Sequence, residues 1–204
     1  MAKYRKFLLS WSEPCIQSIM RALETQSKDT IVNWCVDYAE ARVLPIYAAE
    51  YPSDSRVHVA LGAAREYLAG HIKLPLAKAI AYCSCRDAAR EAEDHPAARV
   101  AVQACGQAAL TAHTPLHSIG MIFYGTAAIA YSRAGMGECG ELYHRIAAAE
   151  CAKAETALRA VSVRNEAHPA QLAWWKNSVF GRRDAAAHGG RDGFSHTEGG
   201  LKRL

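Results

Sequence analysis

The sequence predicts an all-α fold, a compact alanine-rich bundle of about six to seven helices, and three observations carry that prediction. About a fifth of the 204 residues are alanine, the best helix former, which loses no side-chain entropy on ordering. Apolar residues recur at three- and four-residue steps in segment after segment, which is the helical period. Strand signals fail: alternation is short everywhere, and Asp192-Gly193 lies in a C-terminal glycine-rich stretch rather than between alternating apolar runs.

Residues 1–28 read as an N-terminal arm or short helix, with a polar linker at Gln26-Ser27-Lys28-Asp29. A helix is expected from about Thr30 to Tyr51, on Ile31, Trp34, Cys35, Tyr38, Ala41 and Arg42. Pro45 inside it predicts a kink or break, because proline has no N–H and its ring meets the carbonyl four residues back. Tyr51-Pro52-Ser53-Asp54 reads as a turn offering Ser53 or Asp54 as an N-cap. The next helix, about Ser55 to Ala69, carries Val57, Ala60, Leu61, Ala64 and Leu68 on one stripe and stops at Gly70. A third, about Leu74 to Glu93, presents Ala77, Ile80, Ala81, Ser84, Ala88 and Glu91 as its inner face.

Pro96 suits the first turn of the following helix, which runs from about Ala97 to His113. Its Ala98, Ala101, Ala104, Cys105, Gly106, Ala108, Ala109 and Ala112 make it apolar on most sides, the mark of a buried helix. Thr114-Pro115 marks a restart or kink before another apolar helix to about Arg133, ended by Gly135-Met136-Gly137. An amphipathic helix from about Glu138 to Ala160 presents Leu142, Ile146, Ala149, Ala152, Ala157 and Leu158, and a short last helix is expected over about Pro169 to Phe180. Residues 29–180 therefore read as one all-α domain. Residues 181–204, with little apolar content and five glycines after Gly181, read as a flexible tail. No fixed-period repeat is present.

A chain of this size can bury roughly 70% of its unfolded surface, so its core needs neither metal nor disulfide. With 24 basic and 20 acidic residues the net charge of +4 is too balanced to point to nucleic acid or a membrane surface. The seven cysteines are odd in number and sit mostly among Ala, Val and Ile. That argues for small hydrophobes in a reducing, cytoplasmic compartment rather than a disulfide framework. The N-terminal apolar run, Phe7-Leu8-Leu9, is too short for a signal-peptide core, and no run approaches the roughly 18 residues of a membrane span.

Each chemical constellation has a plainer competitor. His113 and His117 share a face if one helix runs through Pro115, and two such imidazoles can chelate zinc. Thr114, however, stands where a metalloprotease helix carries Glu, and no third ligand is evident nearby. Core-edge histidines bonded to backbone or carboxylate are the competing expectation. Cys83 and Cys85 are two apart and so point to different helix faces. Asp37, Glu40, Arg42 and Glu50 form a charge-rich helix side; acid–base catalysis by the carboxylates competes with solvation or pairing to arginine. Arg86, Arg90 and Arg99, mixed with Glu91, Glu93 and Asp94, suit weak ion pairs better than a phosphate site. Arg191 and His196 have a spacing used by some helical ribonucleases, but lie in the glycine-rich tail. No phosphate-binding glycine loop and no Gly-x-Ser-x-Gly turn occurs. Adjacent Trp174 and Trp175 cannot both face one core, so one is expected at a surface or interface, weak support for an oligomer or partner. No catalytic residue, metal or cofactor is expected, and the chain does not read as an enzyme.

From Trp34 to about Glu138 the chain resembles the putative immunity-protein family of bacterial polymorphic toxin systems, an all-α group. The resemblance is carried by Ala39-Glu40, Val43-Leu44-Pro45, Tyr51-Pro52 with Asp54 and Arg56, Ala64-Arg65 before Gly70, and Thr111-Ala112-His113 with His117 behind. A less acidic turn and Thr114-Pro115 depart from it. The resemblance implies a protein that binds and neutralises a cognate toxin by protein–protein contact. A rigid helical surface limits the ordering cost of such binding, and charge complementarity speeds encounter. Asp37, Glu40, Arg42, Asp54, Arg56 and Arg65 are the candidate contact residues, against the competing expectation that they cap helices and pair with one another. The alternative reading is a small-ligand or metal-binding helical protein with His113 and His117 at a pocket. A homo-oligomer is a third.

Overall fold

A computed structural model describes residues 5–174. Among them the chain is helical and strand-free: α1 (Pro14–Leu23), α2 (Lys28–Tyr38), a π-helical segment (Ala39–Val43), α3 (Leu44–Glu50), α4 (Arg56–Leu68), α5 (Leu74–Glu91), α6 (Pro96–Leu110), α7 (His117–Ala134) and α8 (Gly140–Val161). Taking α2, the π segment and α3 as the single interrupted helix that Pro45 predicts, the bundle has seven. The expected tail at 181–204, Trp175 and the end of the expected last helix lie outside the described residues.

The interruption has a direct cause. The Leu44 N–H bonds to the Ala39 carbonyl five residues back. That wider turn makes room for the Pro45 ring, which in an unbroken α-helix would strike the carbonyl of Ala41. It also rotates the side chains beyond it. Ala39 and Val43 stay buried, while Glu40 reaches α4 and Arg42 reaches α8.

α2 begins as its sequence requires. Ser27 caps it by accepting from the Thr30 N–H at 3.2 Å. Glu166 braces the same corner from the other end of the chain, accepting from the Ser27 N–H, the Ser27 hydroxyl and the Thr30 hydroxyl. Buried Gln26 pairs through its side-chain amide with both backbone groups of Val163. Its own carbonyl accepts from the Ala170 N–H. These bonds explain a departure from expectation. Residues 169–173 have no regular structure and Trp174 sits in a turn, because left-handed Asn165 and His168 lay the segment across α1 and α2 instead of coiling it. Trp174 is buried there and its indole donates to Glu24 at 2.7 Å.

α6 and α7 pack most extensively, with α4 and α5 next. α6 contributes mostly alanine and α7 buries nearly every residue from His117 to Tyr131. Small side chains permit close approach: a methyl added at Gly125 would lie 3.2 Å from Val43 Cγ2, and one at Gly106 would lie 3.1 Å from Cys85 Cβ. Two inner faces differ from those expected. α5 buries Ala77, Ala81, Cys85 and Ala88, leaving Ile80 and Ser84 half-covered and Glu91 exposed. α8 buries Tyr143, Ala147, Glu150, Cys151, Ala154 and Leu158, while Ala149 and Ala152 face solvent. In both cases alanine on nearly every side blurs the stripe, and the neighbours decide which alanines are covered.

No helix of the described residues is long and apolar enough to cross a membrane. All seven cysteines are free thiols, four of them buried. Burial pushes the Cys35 and Cys105 thiols well up and that of Cys85 up to about 12, so these are inert fillers of the core.

Candidate functional site

The six predicted contact residues fall into three separate clusters, each anchored by one arginine. In the first, Arg65 on α4 reaches back to α2 and the π segment. It donates to Asp37 at 2.6 Å, to Glu40 Oε2 at 2.9 Å and also to Glu40 Oε1. The two carboxylates thus meet across one guanidinium, as the three-residue step between them allows. Asp37 remains 65% exposed, so this is a solvated surface cluster rather than a catalytic cleft, and pairs of this kind add little stability.

In the second, Asp54 ties together the turn before α4. It accepts from the Arg56 N–H at 2.8 Å and from the Arg56 guanidinium at 2.9 and 3.0 Å, and the hydroxyl of fully buried Tyr47 donates to it. Arg56 extends onward to Glu91 at the end of α5. The Arg56 hydrogen bonds hold the Asp54 carboxyl well below the usual carboxylate range, overcoming the opposing effect of burial. Burial and the Asp54 bond push the Tyr47 hydroxyl up. Asp54→Ala is expected to cost about 2 kcal/mol, since it strands a buried hydroxyl as well as removing charged hydrogen bonds. A folded-state value below the unfolded one means that this contribution is complete above about pH 4 and is lost as pH falls further. Urea titrations of both proteins at pH 7 and pH 3 check this. A gap that does not narrow at pH 3 sinks it.

In the third, Arg42 donates through Nε and Nη2 to Glu150 at 2.9 and 2.8 Å. Glu150 is fully buried on α8 and also receives Tyr38 at 3.1 Å, Arg133 at 3.2 Å and Lys153 at 3.3 Å. Burial raises its carboxyl, but the bonds from Arg42 and Tyr38 outweigh that and hold it below its ordinary value. Sequence reading passed over Glu150. Its signal was position: it lies three residues after Ala147 and four before Ala154, on the buried stripe.

His113 and His117 do not share a helix face. α6 ends at Leu110, His113 stands in the turn before Pro115, and α7 starts at His117. Each has found a protein partner: Lys78 Nζ lies 3.2 Å from His113 Nε2, and Gln107 Oε1 lies 2.8 Å from His117 Nδ1. Among the described residues no three His, Cys, Asp or Glu side chains gather as metal ligands would. Burial, with His113 and Lys78 nearby, lowers His117 to about 4. Because the unfolded chain protonates this group first, stability is expected to fall between about pH 6.5 and 4, by up to about 3 kcal/mol. His117→Asn keeps a donor toward Gln107 and cannot titrate there. A shallower loss of melting temperature across that window is expected, and an unchanged slope counts against the assignment.

A further cleft of about 420 Å³ opens between α5 and α6, with Arg86, Arg90 and Arg99 on its walls and Tyr82 at its edge. The arginines were legible in the sequence, but only as members of ion pairs. Of the expected partners, Glu93 lies 3.4 Å from Arg99, whereas Glu91 pairs with Arg56 and it is Asp87 that lies 3.0 Å from Arg86 and 3.8 Å from Arg90.

Fold and site together define an all-α protein whose charged groups mainly hold its own helices in register. Compared with known proteins, residues 21–157 match the model of the family described as Imm-5 like putative immunity proteins. That is well over half of the chain, from the end of α1 into α8, and the chain belongs to that family. The match takes in the whole segment from Trp34 to Glu138 that carried the resemblance. No curated protein and no solved structure among those compared matches it.

Proposed function

We propose that this protein neutralises a cognate bacterial toxin by binding it in the cytoplasm, through protein–protein contact and without catalysis. The observation that carries the reading is the family match over residues 21–157. Supporting it, the two carboxylates at a three-residue step that could do acid–base work, Asp37 and Glu40, both sit on the Arg65 guanidinium. A preorganised scaffold of this kind loses little entropy on binding. The free thiols suit a reducing compartment.

Of the six candidate contact residues, we assign Asp37, Glu40 and Arg65 to the rim of the surface that meets the toxin, where exposed charges steer encounter more than they add affinity. Arg42, Asp54 and Arg56 serve mainly to hold α8 and α5 in place. The test is co-expression with a candidate toxic domain, sought among the genes beside this one. Rescue of growth, with a complex that co-purifies, is the expected result. Survival without a complex, or turnover of the toxin's substrate or product by this protein alone, overturns the reading.

A further inference from the structure

We infer that the cleft between α5 and α6 is where the partner protein docks, and that it receives an acidic segment, with an Asp or Glu side chain seated among Arg86, Arg90 and Arg99 and its stem against Tyr82. The inference rests on the toxin-binding reading above and adds the site and the chemistry of the partner.

Charge is the first argument. Three arginines and no acid line the cleft. The carboxylates that balance them, Asp87 and Glu93, stand outside it, so three cations share two anions. The sharing is loose, with Arg90 at 3.8 Å and Arg99 at 3.4 Å from their nearest carboxylates. Arg86 and Arg90 are half to mostly exposed, where such pairs are worth little. A carboxylate presented on a protein partner can take the guanidinium groups in bidentate fashion, and exchanging a weak internal pair for a desolvated one favours the complex.

The floor and rim supply the second. Cys85 and Gly106 form part of an apolar floor, which suits the hydrocarbon stem of a side chain rather than a free inorganic anion. Tyr82 is 56% exposed, more than any other large hydrophobic residue described, and the Arg86 guanidinium lies over its ring at 5.6 Å. Tyrosine and arginine together are the residue types that dominate binding energy at protein interfaces. α5 packs principally on α4 and α6, so its outer side is open to a partner. The wall is also incompletely satisfied. Arg99 Nε and Gln103 Oε1 are buried without a hydrogen-bond partner among the described residues, a state that native interiors rarely tolerate and that a rearrangement on docking can relieve.

The test is calorimetric titration of this protein with the toxic domain identified by that co-expression, at low and moderate salt. Three variants are compared: Arg86→Glu with Arg90→Glu, Tyr82→Ala, and Asp37→Lys with Arg65→Glu. All replace exposed or half-exposed side chains, and unchanged melting temperatures show that each still folds. The arginine reversal is expected to weaken binding by about 100-fold and to remove most of its salt dependence. Tyr82→Ala is expected to weaken it by about 10-fold, and the Asp37/Arg65 pair by less than about 3-fold. Changing a toxin Asp or Glu to Lys should restore affinity for the arginine reversal. If the wild-type protein binds and the cleft variants bind equally well, the cleft assignment falls while toxin binding stands. If the wild-type protein does not bind, both fall. Tight binding of inorganic phosphate that disappears in the arginine reversal, with toxin binding intact, makes the cleft a small-anion site and overturns the inference.

Discussion

Replacing Glu150 with leucine is expected to destabilise the fold by about 2–4 kcal/mol, the largest effect of any single polar substitution proposed for this protein. Glu150 is the only fully buried carboxylate among the described residues, and it joins three elements: Arg42 of the π segment, Arg133 at the end of α7 and Lys153 on α8 itself. Two considerations set the size. Breaking a buried ion pair from one side costs about 3–5 kcal/mol when the other charge is stranded. Here the three cations are each 39–55% exposed and can turn to water, which reduces the cost toward that of the lost charged hydrogen bonds. Tyr38 is less fortunate, since it is buried and keeps only the more distant backbone carbonyl of residue 150, at 3.4 Å, as an acceptor.

The reverse deletion, Arg42→Met, leaves Glu150 with Arg133, Lys153 and Tyr38, so about 1–2 kcal/mol is expected. The pH dependence follows from a folded-state value held below the ordinary glutamate value of about 4.3. The Glu150 contribution is complete above the unfolded value and disappears as pH falls through the lower folded one. Urea denaturation of the wild-type and both variants at pH 7 and pH 3 measures this. A leucine variant as stable as the wild-type at pH 7 sinks the proposal that Glu150 ties α8 to the π segment.

The second large effect is expected at Gly125, on the α7 face that meets the π segment. Gly125→Leu should cost at least about 3 kcal/mol, because overpacking a close contact forces backbone movement or strained rotamers. The first added carbon already lies 3.2 Å from Val43 Cγ2 and 3.8 Å from Ala104 Cβ, and a leucine drives three more carbons into the same space. Gly125→Ala is the discriminating control. It gains about 1 kcal/mol of helix propensity against a displacement of a few tenths of an ångström, so it should fall within about 1 kcal/mol of the wild-type. Thermal melting reads both. A leucine variant that melts with the wild-type shows that the interface between α7 and the π segment is not closely packed.

Much of the fold was readable because the relevant signals are local. Pro45, Gly70, Pro96 and Gly135 act on the chain within one turn of themselves, and each marks a helix boundary or interruption near where it was expected. The π segment as such was not legible: a proline predicts trouble upstream, but whether the helix kinks, breaks or widens depends on what packs against Ala39 and Val43. The described start of the expected last helix, residues 169–174, is not helical for a related reason. Leu172, Trp175 and Val179 have helical spacing in the sequence, yet the backbone around Ala170 bonds to Gln26, far away in sequence.

The candidate site was legible as a set of residues and not as an arrangement. Arginine and carboxylate in a turn, or at short helical spacing, predict pairing, and Asp54 with Arg56 paired as such local chemistry requires. That Arg65 would gather both Asp37 and Glu40, that Arg42 would turn to α8, and that Arg86, Arg90 and Arg99 would wall a common cleft all depend on helices meeting.

Composition, periodicity and the positions of proline and glycine by themselves determined that the described residues form a strand-free assembly of closely packed helices, and an ordered set of motifs determined the family. These are properties of residues within a few positions of one another, where propensity and covalent geometry act alone. The tertiary structure decided which alanines are covered, where a glutamate is buried and which charges are left in surplus. With alanine on most faces, a helix has no single hydrophobic side to declare, so the rotation of each helix is set by its neighbours.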